Sequence, residues 1–517
     1  MAWEPRSEHD TVLVISFGGQ YAHMISRRVR DLGVYSEVMP YTRATEEAVR
    51  ARAPKALILS GGPSSVYEPN APSIGPWVLE LGVPVLGICY GHQLLAKLAG
   101  GSVERGVGEY GRTRVVLLRD DPLLEGWGKE EDVWMSHADY VASPGRGGEV
   151  LAVSEGTGYI SAMRLGDGVY GVQFHPEVRH TEKGRLLLAN FLFKVAKVRP
   201  TWRVEGLAER LIEEVRGRVP EGEKALVAVS GGVDSTTAAV IAKRALGDRA
   251  VVVFVNHGLL REGEAEEVLA ALRGLGLNPI YIDASERFLS ALKGVTDPEQ
   301  KRLIVGRLFA EVFEEVARSD PSIRWLVQGT TYPDVIESGA EPGADRIKSH
   351  HNVGGLPERL GLGVIEPLRY FYKDEVRRLA LSLGVPESIA LRHPFPGPGL
   401  AVRVIGEVTE EKLRVARRAS KIVEEELRRA GLYDRVWQAF AVVGDDRWVG
   451  VKGDRRALGY IVTIRVVESE DGMTADWARL PYDLLQRVAS RITSEVPEVV
   501  MVTYAITTKP PSTIEPV

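Results

Sequence analysis

Residues 83–98 read VPVLGICYGHQLLAKL, and this stretch decides the fold. Val83–Ile88 is a short apolar run of strand length, and His92–Leu98 repeats apolar residues at helical spacing. Between them lies Gly87-Ile88-Cys89-Tyr90-Gly91, two glycines flanking a cysteine. A buried strand that turns straight into a helix is the unit of a parallel sheet with crossover helices. The glycines permit a tight turn, which aims the cysteine out of the sheet's carboxyl end. The helix N-terminus behind it favours thiolate, the nucleophilic form. A lone cysteine is more often a buried structural thiol. Flanking glycines at a strand end favour the nucleophile instead.

The same alternation extends in both directions. Val12–Ile15 and Ala56–Leu59 are further buried strands followed by Gly-rich turns. The pattern restarts at Ala225–Val229 and Val251–Val255, with a helix expected over Thr236–Leu246. Pro200, in KVRPTW (197–202), interrupts a helix and marks a linker. RHPFPGPGL (392–400) marks a second boundary, because its prolines and glycines continue neither a helix nor a central strand. A charged helix over Glu410–Ala430, readable as plain solvent-facing surface, and strands at Tyr460–Glu468 and Val499–Thr507 follow. The expected fold class is multi-domain α/β. Residues 1–200 form an α/β domain, 201–395 a doubly wound parallel-sheet domain and 396–517 a small α+β domain. At roughly 150 residues per domain, three units suit the length.

Composition removes other classes. Apolar residues make up 44% and charged residues 26%, which is globular rather than disordered. A net charge of −5 supplies no basic field for nucleic acid. One cysteine excludes an internal disulfide framework and any Cys-clustered zinc or iron–sulfur site. The opening MAWEPRSEHD has no apolar h-region, so no secretory signal is expected. No apolar run approaches the roughly 18 residues of a membrane helix. The expectation is a cytoplasmic protein without nucleic-acid or membrane partners.

A thiolate nucleophile needs a base and a group that orients the base. QFHPE (173–177) offers both: His175 follows the strand-like Val169–Phe174, and in extended chain Glu177 projects to the same side. Ser60-Gly61-Gly62-Pro63 offers backbone N–H groups to an oxyanion, Pro63 itself having none. Gly-x-Cys-x-Gly followed by His-Pro-Glu resembles the class I (triad) glutamine amidotransferases. The resemblance implies glutamine hydrolysis through a cysteinyl thioester, with Cys89 as nucleophile, His175 as base and Glu177 as orienter. It further implies oxyanion N–H groups at Gly62 and Tyr90, with Gln93 and His137 near the glutamine. Two strings depart from that family's pattern. Ser16-Phe17-Gly18-Gly19-Gln20 stands for Asp-Phe-Gly-Ser-Gln, and Ser136-His137-Ala138-Asp139 for Ser-His-Gly-Asp.

The second block opens on a phosphate loop. The strand Ala225–Val229 runs into Ser230-Gly231-Gly232-Val233-Asp234-Ser235 and then a helix near Thr236. Small residues let successive N–H groups approach a phosphate, and the helix N-terminus adds donors and dipole. The serine hydroxyls suit phosphate oxygens and Asp234 suits Mg²⁺. No Gly-x-x-x-x-Gly-Lys-Ser/Thr occurs, so this is not a Walker A loop. The string resembles the PP-loop of N-type ATP pyrophosphatases. The resemblance implies ATP bound by Ser230–Thr236, adenylylation of a substrate oxygen, and release of pyrophosphate.

A cysteine amidase ahead of an adenylylating module, with several long strings, resembles the glutamine-hydrolysing GMP synthase family over nearly the whole chain. The strings are QGTTYPDVIES (328–338), IKSHHNVGGLP (347–357), FPGPGL (395–400) and KPPSTIE (509–515). The resemblance implies XMP as acceptor, with glutamine and ATP–Mg²⁺ as co-substrates. Lys348 and Lys373 become lid lysines that offset phosphate charge. Arg302, Lys509 and Glu515 become XMP contacts, and the third unit supplies homodimer contacts. Asn256 stands where that family usually has Asp.

Other readings compete. An adenylylating ligase for a tRNA base conflicts with the acidic balance. NAD synthetase usually carries a nitrilase partner, whose Glu-Lys-Cys pattern is missing here. A non-catalytic sensor need not keep the nucleophile, so intact Cys89, His175, Glu177 and Ser230–Ser235 count against it.

Overall fold

The computed structural model describes residues 3–19, 21–337, 361–469, 472 and 474–516. The chain divides into two compact units, Met1–Arg203 and Val204–Val517.

The first unit is built on a nine-stranded sheet in the order β2-β1-β3-β4-β9-β8-β7-β5-β6. Its first half comprises β1 (Thr11–Ser16), β2 (Tyr35–Pro40), β3 (Ala56–Leu59), β4 (Val85–Ile88) and β9 (Val169–Val172). These run parallel, and β3, β4 and β9 are buried along their whole length. Continuous apolar runs are what a sheet covered on both faces demands. The other half is antiparallel: β5 (Ser102–Leu117), β6 (Glu130–Ser143), β7 (Glu149–Ser154) and β8 (Ile160–Arg164). The strand-then-helix pattern does not announce this half, because β5 buries only Glu109 and Val115 and β6 buries only alternate residues, so neither carries a continuous apolar run.

In the second unit β10 (Lys224–Val229), β11 (Ala250–Asn256), β12 (Ile280–Asp283), β13 (Ile323–Val327) and β14 (Gly363–Ile365) form a sheet ordered β12-β11-β10-β13-β14. Every pairing is parallel, as expected of a doubly wound domain. Its strand order reverses on either side of β10, the position at which such sheets bind ligands. The helix after β10 spans Val233–Leu246 and begins three residues earlier than expected. Asp234 therefore lies in its first turn.

The last sheet holds β15 (Gln438–Lys452), β16 (Arg455–Glu468), β17 (Asp476–Trp477) and β18 (Val499–Tyr504). The Glu410–Arg429 helix is not a plain solvent-facing surface. It buries Leu413, Val415, Ala416, Ala419, Ile422, Val423 and Leu427, and two of its charges, Lys412 and Glu426, are buried beside them. One apolar core runs through this unit from Leu226 to Val499. Among the described residues, no helix is long and apolar enough to cross a membrane.

Candidate active sites

The cysteine site begins at β4. Cys89 N–H still bonds Val172 O at 2.8 Å, continuing the ladder to β9. The chain then breaks sharply: Cys89 has φ +52°, ψ −103° and caps the Tyr90–Leu98 helix. A positive φ outside glycine costs about 1–3 kcal/mol and persists where its surroundings over-determine it. Here the surroundings are the two glycines. A Cβ on Gly87 would lie 2.5 Å from the Gly91 carbonyl, and one on Gly91 would strike the Leu59 carbonyl. Gly91 N–H bonds Ser60 O at 3.1 Å, tying the helix to the neighbouring strand end.

His175 and Glu177 stand together, with Nδ1 2.8 Å from Glu177 Oε1. The expected extended segment is instead a turn past the end of β9. His175 N–H bonds Trp134 O at 3.0 Å. The Thr181 hydroxyl donates to His175 O at 2.7 Å and accepts from Trp134 N–H at 3.0 Å. Thr181 thus staples the base to β6, a role no sequence signal announces. Gly61 lies over the pair: a Cβ there would meet His175 Cε1 at 3.3 Å and Cys89 Cβ at 3.7 Å. Burial acts to lower the His175 pKa, but Glu177 and Cys89 outweigh it and hold it well above its ordinary value. Cys89, His175 and Glu177 are all buried. The arrangement is a thiol beside an imidazole oriented by a carboxylate, which suits acyl transfer.

Two further histidines of this unit, His92 and His137, are also buried. His92, one turn after Cys89, is fully buried, and burial holds it neutral with a pKa of about 3. His137 has both ring nitrogens engaged, with Glu109 Oε2 at 2.9 Å and Asp139 O at 2.8 Å. Gln93 Nε2 also donates to Asp139 O, at 2.8 Å, and to Gln173 Oε1 at 3.1 Å. Burial pushes the Tyr90 phenol to about 12, and its hydroxyl donates to Pro72 O. The phenol is thus engaged, so the expected oxyanion contact of Tyr90 concerns its backbone N–H alone. At the β1 end, Ser16 Oγ accepts from Gly18 N–H at 3.4 Å and Ser60 Oγ from Phe17 N–H at 3.1 Å. Gly19 packs so closely on Gly61 O that a Cβ would not fit, and Gln20 lies outside the described residues.

The phosphate loop lies in the other unit. Ser235 Oγ accepts from Ser230 N–H at 3.1 Å and lies 3.1 Å from Ser230 Oγ, so the loop closes on itself. Gly231 has φ +82°, with Val268 packed where a side chain would stand. Gly329 packs on the same turn, 2.8 Å from Ser235 N for an added Cβ. Asp234 Oδ2 pairs with Lys373 Nζ at 3.0 Å, while its Oδ1 is buried without a hydrogen-bond partner. A hard carboxylate oxygen left without a partner, in a loop that also carries two serine hydroxyls, fits Mg²⁺ arriving with ATP phosphates. Among the described residues, no group of three or more His, Cys, Asp or Glu side chains could hold a metal. Asn256 ends β11, donating to Tyr281 OH at 3.2 Å and accepting from Gly258 N–H at 3.0 Å.

The expected XMP and lid residues fall in different places. Lys348 lies outside the described residues. Arg302 is half-buried near the start of the Pro298–Ser319 helix. Lys509 donates to Gly472 O at 2.8 Å. Glu515 is gripped by Arg403, through Nη2 at 2.9 Å and Nε at 3.1 Å, and by Gln438 Nε2. Arg465 ties Thr507 O and Thr513 O, holding both ends of the tail segment. Sequence reading missed Arg403, Gln438 and Arg465. For the arginines a signal existed: each interrupts an apolar run, LAVRVI (400–405) and VTIRVV (462–467), and a buried arginine must be paired.

Three family models match the chain: glutamine amidotransferase class-I over residues 13–195, NAD synthase over 206–312, and GMP synthase C terminal domain over 425–516. Full-length relatives named "GMP synthase [glutamine-hydrolyzing]" align with it. That of Pyrobaculum aerophilum is 61% identical over 98% of this chain and all of its own. Those of Symbiobacterium thermophilum and Aeropyrum pernix are 54% and 55% identical, each over 98% of this chain and 99% and 98% of their own. A solved structure of a glutamine amidotransferase from Thermotoga maritima is 22% identical. It covers 37% of this chain and 99% of its own with a TM-score of 0.32.

Proposed function

The chain belongs to the glutamine-hydrolysing GMP synthase family, and from that premise we propose how its residues divide the reaction. The enzyme is an ATP-dependent ligase. Glutamine and water give glutamate and ammonia; XMP and ATP give adenylyl-XMP and pyrophosphate; ammonia displaces AMP to leave GMP. The NAD synthase model spans only the ATP-using segment, whereas the GMP synthases align end to end, which decides between the two acceptors.

In the first unit Cys89 attacks the glutamine amide carbon. His175 takes the thiol proton and returns it to the departing ammonia, while Glu177 holds the imidazole. Gly62 and Tyr90 N–H groups receive the oxyanion. Gln93 shapes the pocket, and His137 does so without a ring nitrogen to spare. Water then hydrolyses the thioester, with His175 acting again as base.

In the second unit Ser230–Thr236 would cradle the ATP phosphates and Asp234 would hold Mg²⁺, which supplies charge neutralisation at the phosphates when bound. Lys373 and Lys348 offset charge as pyrophosphate leaves. Arg302, Lys509 and Glu515 hold XMP; the Arg403 grip on Glu515 supports a preformed tail site. The division 1–200, 201–395 and 396–517 remains our assignment of amidotransferase, ATP pyrophosphatase and XMP/dimer domains. A homodimer is supported by apolar residues left exposed on the β15–β16 hairpin, Trp448, Val449, Val451 and Leu458. A cytoplasmic location suits these soluble substrates.

The observation that carries the reading is the oriented Cys89–His175–Glu177 set in one unit and the Asp234–Lys373 phosphate loop in the other. Incubation with ATP, Mg²⁺ and XMP, with glutamine or ammonium, tests it. GMP from both nitrogen sources is expected; GMP from neither would refute it.

A further inference from the structure

Between Ser102 and Arg114 of the exposed hairpin strand β5, Glu109 is the only buried residue. Its neighbours Val107 and Tyr110 are 74% and 71% exposed. Glu109 follows a register slip between Arg105 and Glu109, a bulge of the kind that re-aims one side chain beside a working site. A carboxylate turned inward alone, from a strand that buries nothing else there, is not core packing.

Every donor it needs is in place. Oε2 faces His137 Nε2 at 2.9 Å, from the residue directly opposite on β6. Oε1 accepts from Thr157 Oγ1 at 2.9 Å and from Ser154 Oγ. Burial opposes its charge, yet His137, Ser154 and Thr157 outweigh that and hold the carboxyl below its ordinary range. The far side of His137 meets Asp139 O at 2.8 Å, the carbonyl Gln93 also uses. The Asp139 carboxylate accepts from the hydroxyls of Ser65 and Tyr67, just beyond Gly61 and Gly62. Cys89 Sγ lies 3.9 Å from Ser136 O in the same segment. Glu109 is thus the fixed end of a chain of contacts that sets the segment facing the thiol and ties down the glycine turn opposite.

We infer that Glu109 is a positioning residue for glutamine: through His137 it fixes the Ser136–Asp139 wall of the amide site without touching the reacting atoms. This rests on the glutaminase assignment of the first unit. It predicts a defect in holding glutamine and no defect in the thiol.

Glu109→Ala and Glu109→Gln separate these effects, read by glutamine-driven and ammonia-driven GMP synthesis. Iodoacetamide alkylation of Cys89, the only cysteine, reports on the thiol. For Glu109→Ala the glutamine KM should rise about 10- to 100-fold, the factor expected when a buried partner is stranded. Its kcat, its alkylation rate and its ammonia-driven synthesis should stay within about threefold of wild type. Glu109→Gln, which keeps an acceptor for Ser154 and Thr157, should recover most of the KM. If Glu109→Ala does not fold, Ser154→Ala removes one donor and should raise KM in the same direction. An unchanged KM overturns the inference. So does a parallel fall of kcat, alkylation and ammonia-driven synthesis, which marks general destabilisation. A wild-type enzyme that uses ammonium but not glutamine would instead overturn the glutaminase reading.

Discussion

Lys373 Nζ lies 3.0 Å from Asp234 Oδ2, joining the first residue of the Lys373–Ser382 helix to the first turn of the phosphate-loop helix. The pair occupies one oxygen of the carboxylate and leaves Oδ1 without a partner; on the proposed reading its ammonium faces the arriving phosphate charge.

Lys373→Ala should therefore depress adenylylation far more than XMP binding. Single-turnover formation of adenylyl-XMP is expected to fall by about 100-fold or more, in line with losing one charge-stabilising donor. The XMP dissociation constant, measured by equilibrium binding, should change little. An unchanged adenylylation rate would place this lysine outside the chemistry.

Asp234→Ala should stop pyrophosphate release altogether. It removes both the Lys373 partner and the oxygen offered to Mg²⁺. Because the two side chains act as a pair, the double variant with Lys373→Ala should be scarcely worse than Asp234→Ala alone. Pyrophosphate release measured at saturating ATP checks both statements.

Cys89→Ala should abolish glutamine-driven amination while ammonium still supports GMP formation. The thiol and the phosphate loop lie in different compact units. Equal loss of both activities would contradict the two-site scheme.

Glu177→Gln removes the charge that raises His175. The imidazole should then lose its proton at lower pH and be held less firmly as base, and alkylation of Cys89 near neutral pH should slow by about 100-fold or more. The same shift gives a stability signature. A histidine raised in the folded state contributes stability fully below its unfolded value near 6.5, and loses it as pH climbs through the folded value. The wild-type advantage over Glu177→Gln in urea denaturation should be largest in mild acid.

Lys301 gives a pH prediction of opposite sense. Its ammonium is fully buried and donates to Val404 O at 2.7 Å and Ala401 O at 3.3 Å. Burial and then Lys412 lower its pKa to about 8, against weaker support from Asp445 and Asp297. The unfolded chain holds that proton to about 10.4, so it binds more protons between these values and stability from this group rises with pH. Denaturation of wild type and Lys301→Met at pH 7 and pH 10 should show the difference shifting toward wild type at the higher pH.

Strands β1, β3, β4, β9, β10 and β11 were legible because each is a continuous apolar run, whereas β2 (YSEVMP) and β12 (IYID) mix polar residues in and escaped; Cys89 stood out because two glycines and a strand end frame it. The β5–β6 hairpin was not legible, since β5 buries only Glu109 and Val115, and β6 buries alternate residues from Val133 to Val141, two of them the polar His137 and Asp139. His175 and Glu177 were paired correctly for an incorrect local reason: the contact is made by a turn, not by an extended offset. Arg403 and Arg465 escaped because a Gly/Pro-rich string is the louder signal. A charge inside an apolar run carries comparable information, but its partner, Glu515 for Arg403, lies 112 residues away in the chain. The charge of the Glu410–Arg429 helix disguised its apolar face for a similar reason: long charged residues dominate composition, although Leu413 to Leu427 supply a broad buried face.

Arg403 has a thermodynamic consequence. Its guanidinium carbon stands 4.1 Å from the centre of the Phe440 ring and 4.9 Å from that of Phe395, with 2% of its side chain exposed. Flanked by two aromatic rings and already bidentate to Glu515, it has surrendered its rotamer freedom during folding. On the proposed reading, a nucleotide held by Glu515 meets a carboxylate whose position this rigid fork has already set. Calorimetry on a variant with Phe440→Leu should show the lost rigidity as a more unfavourable entropy of association.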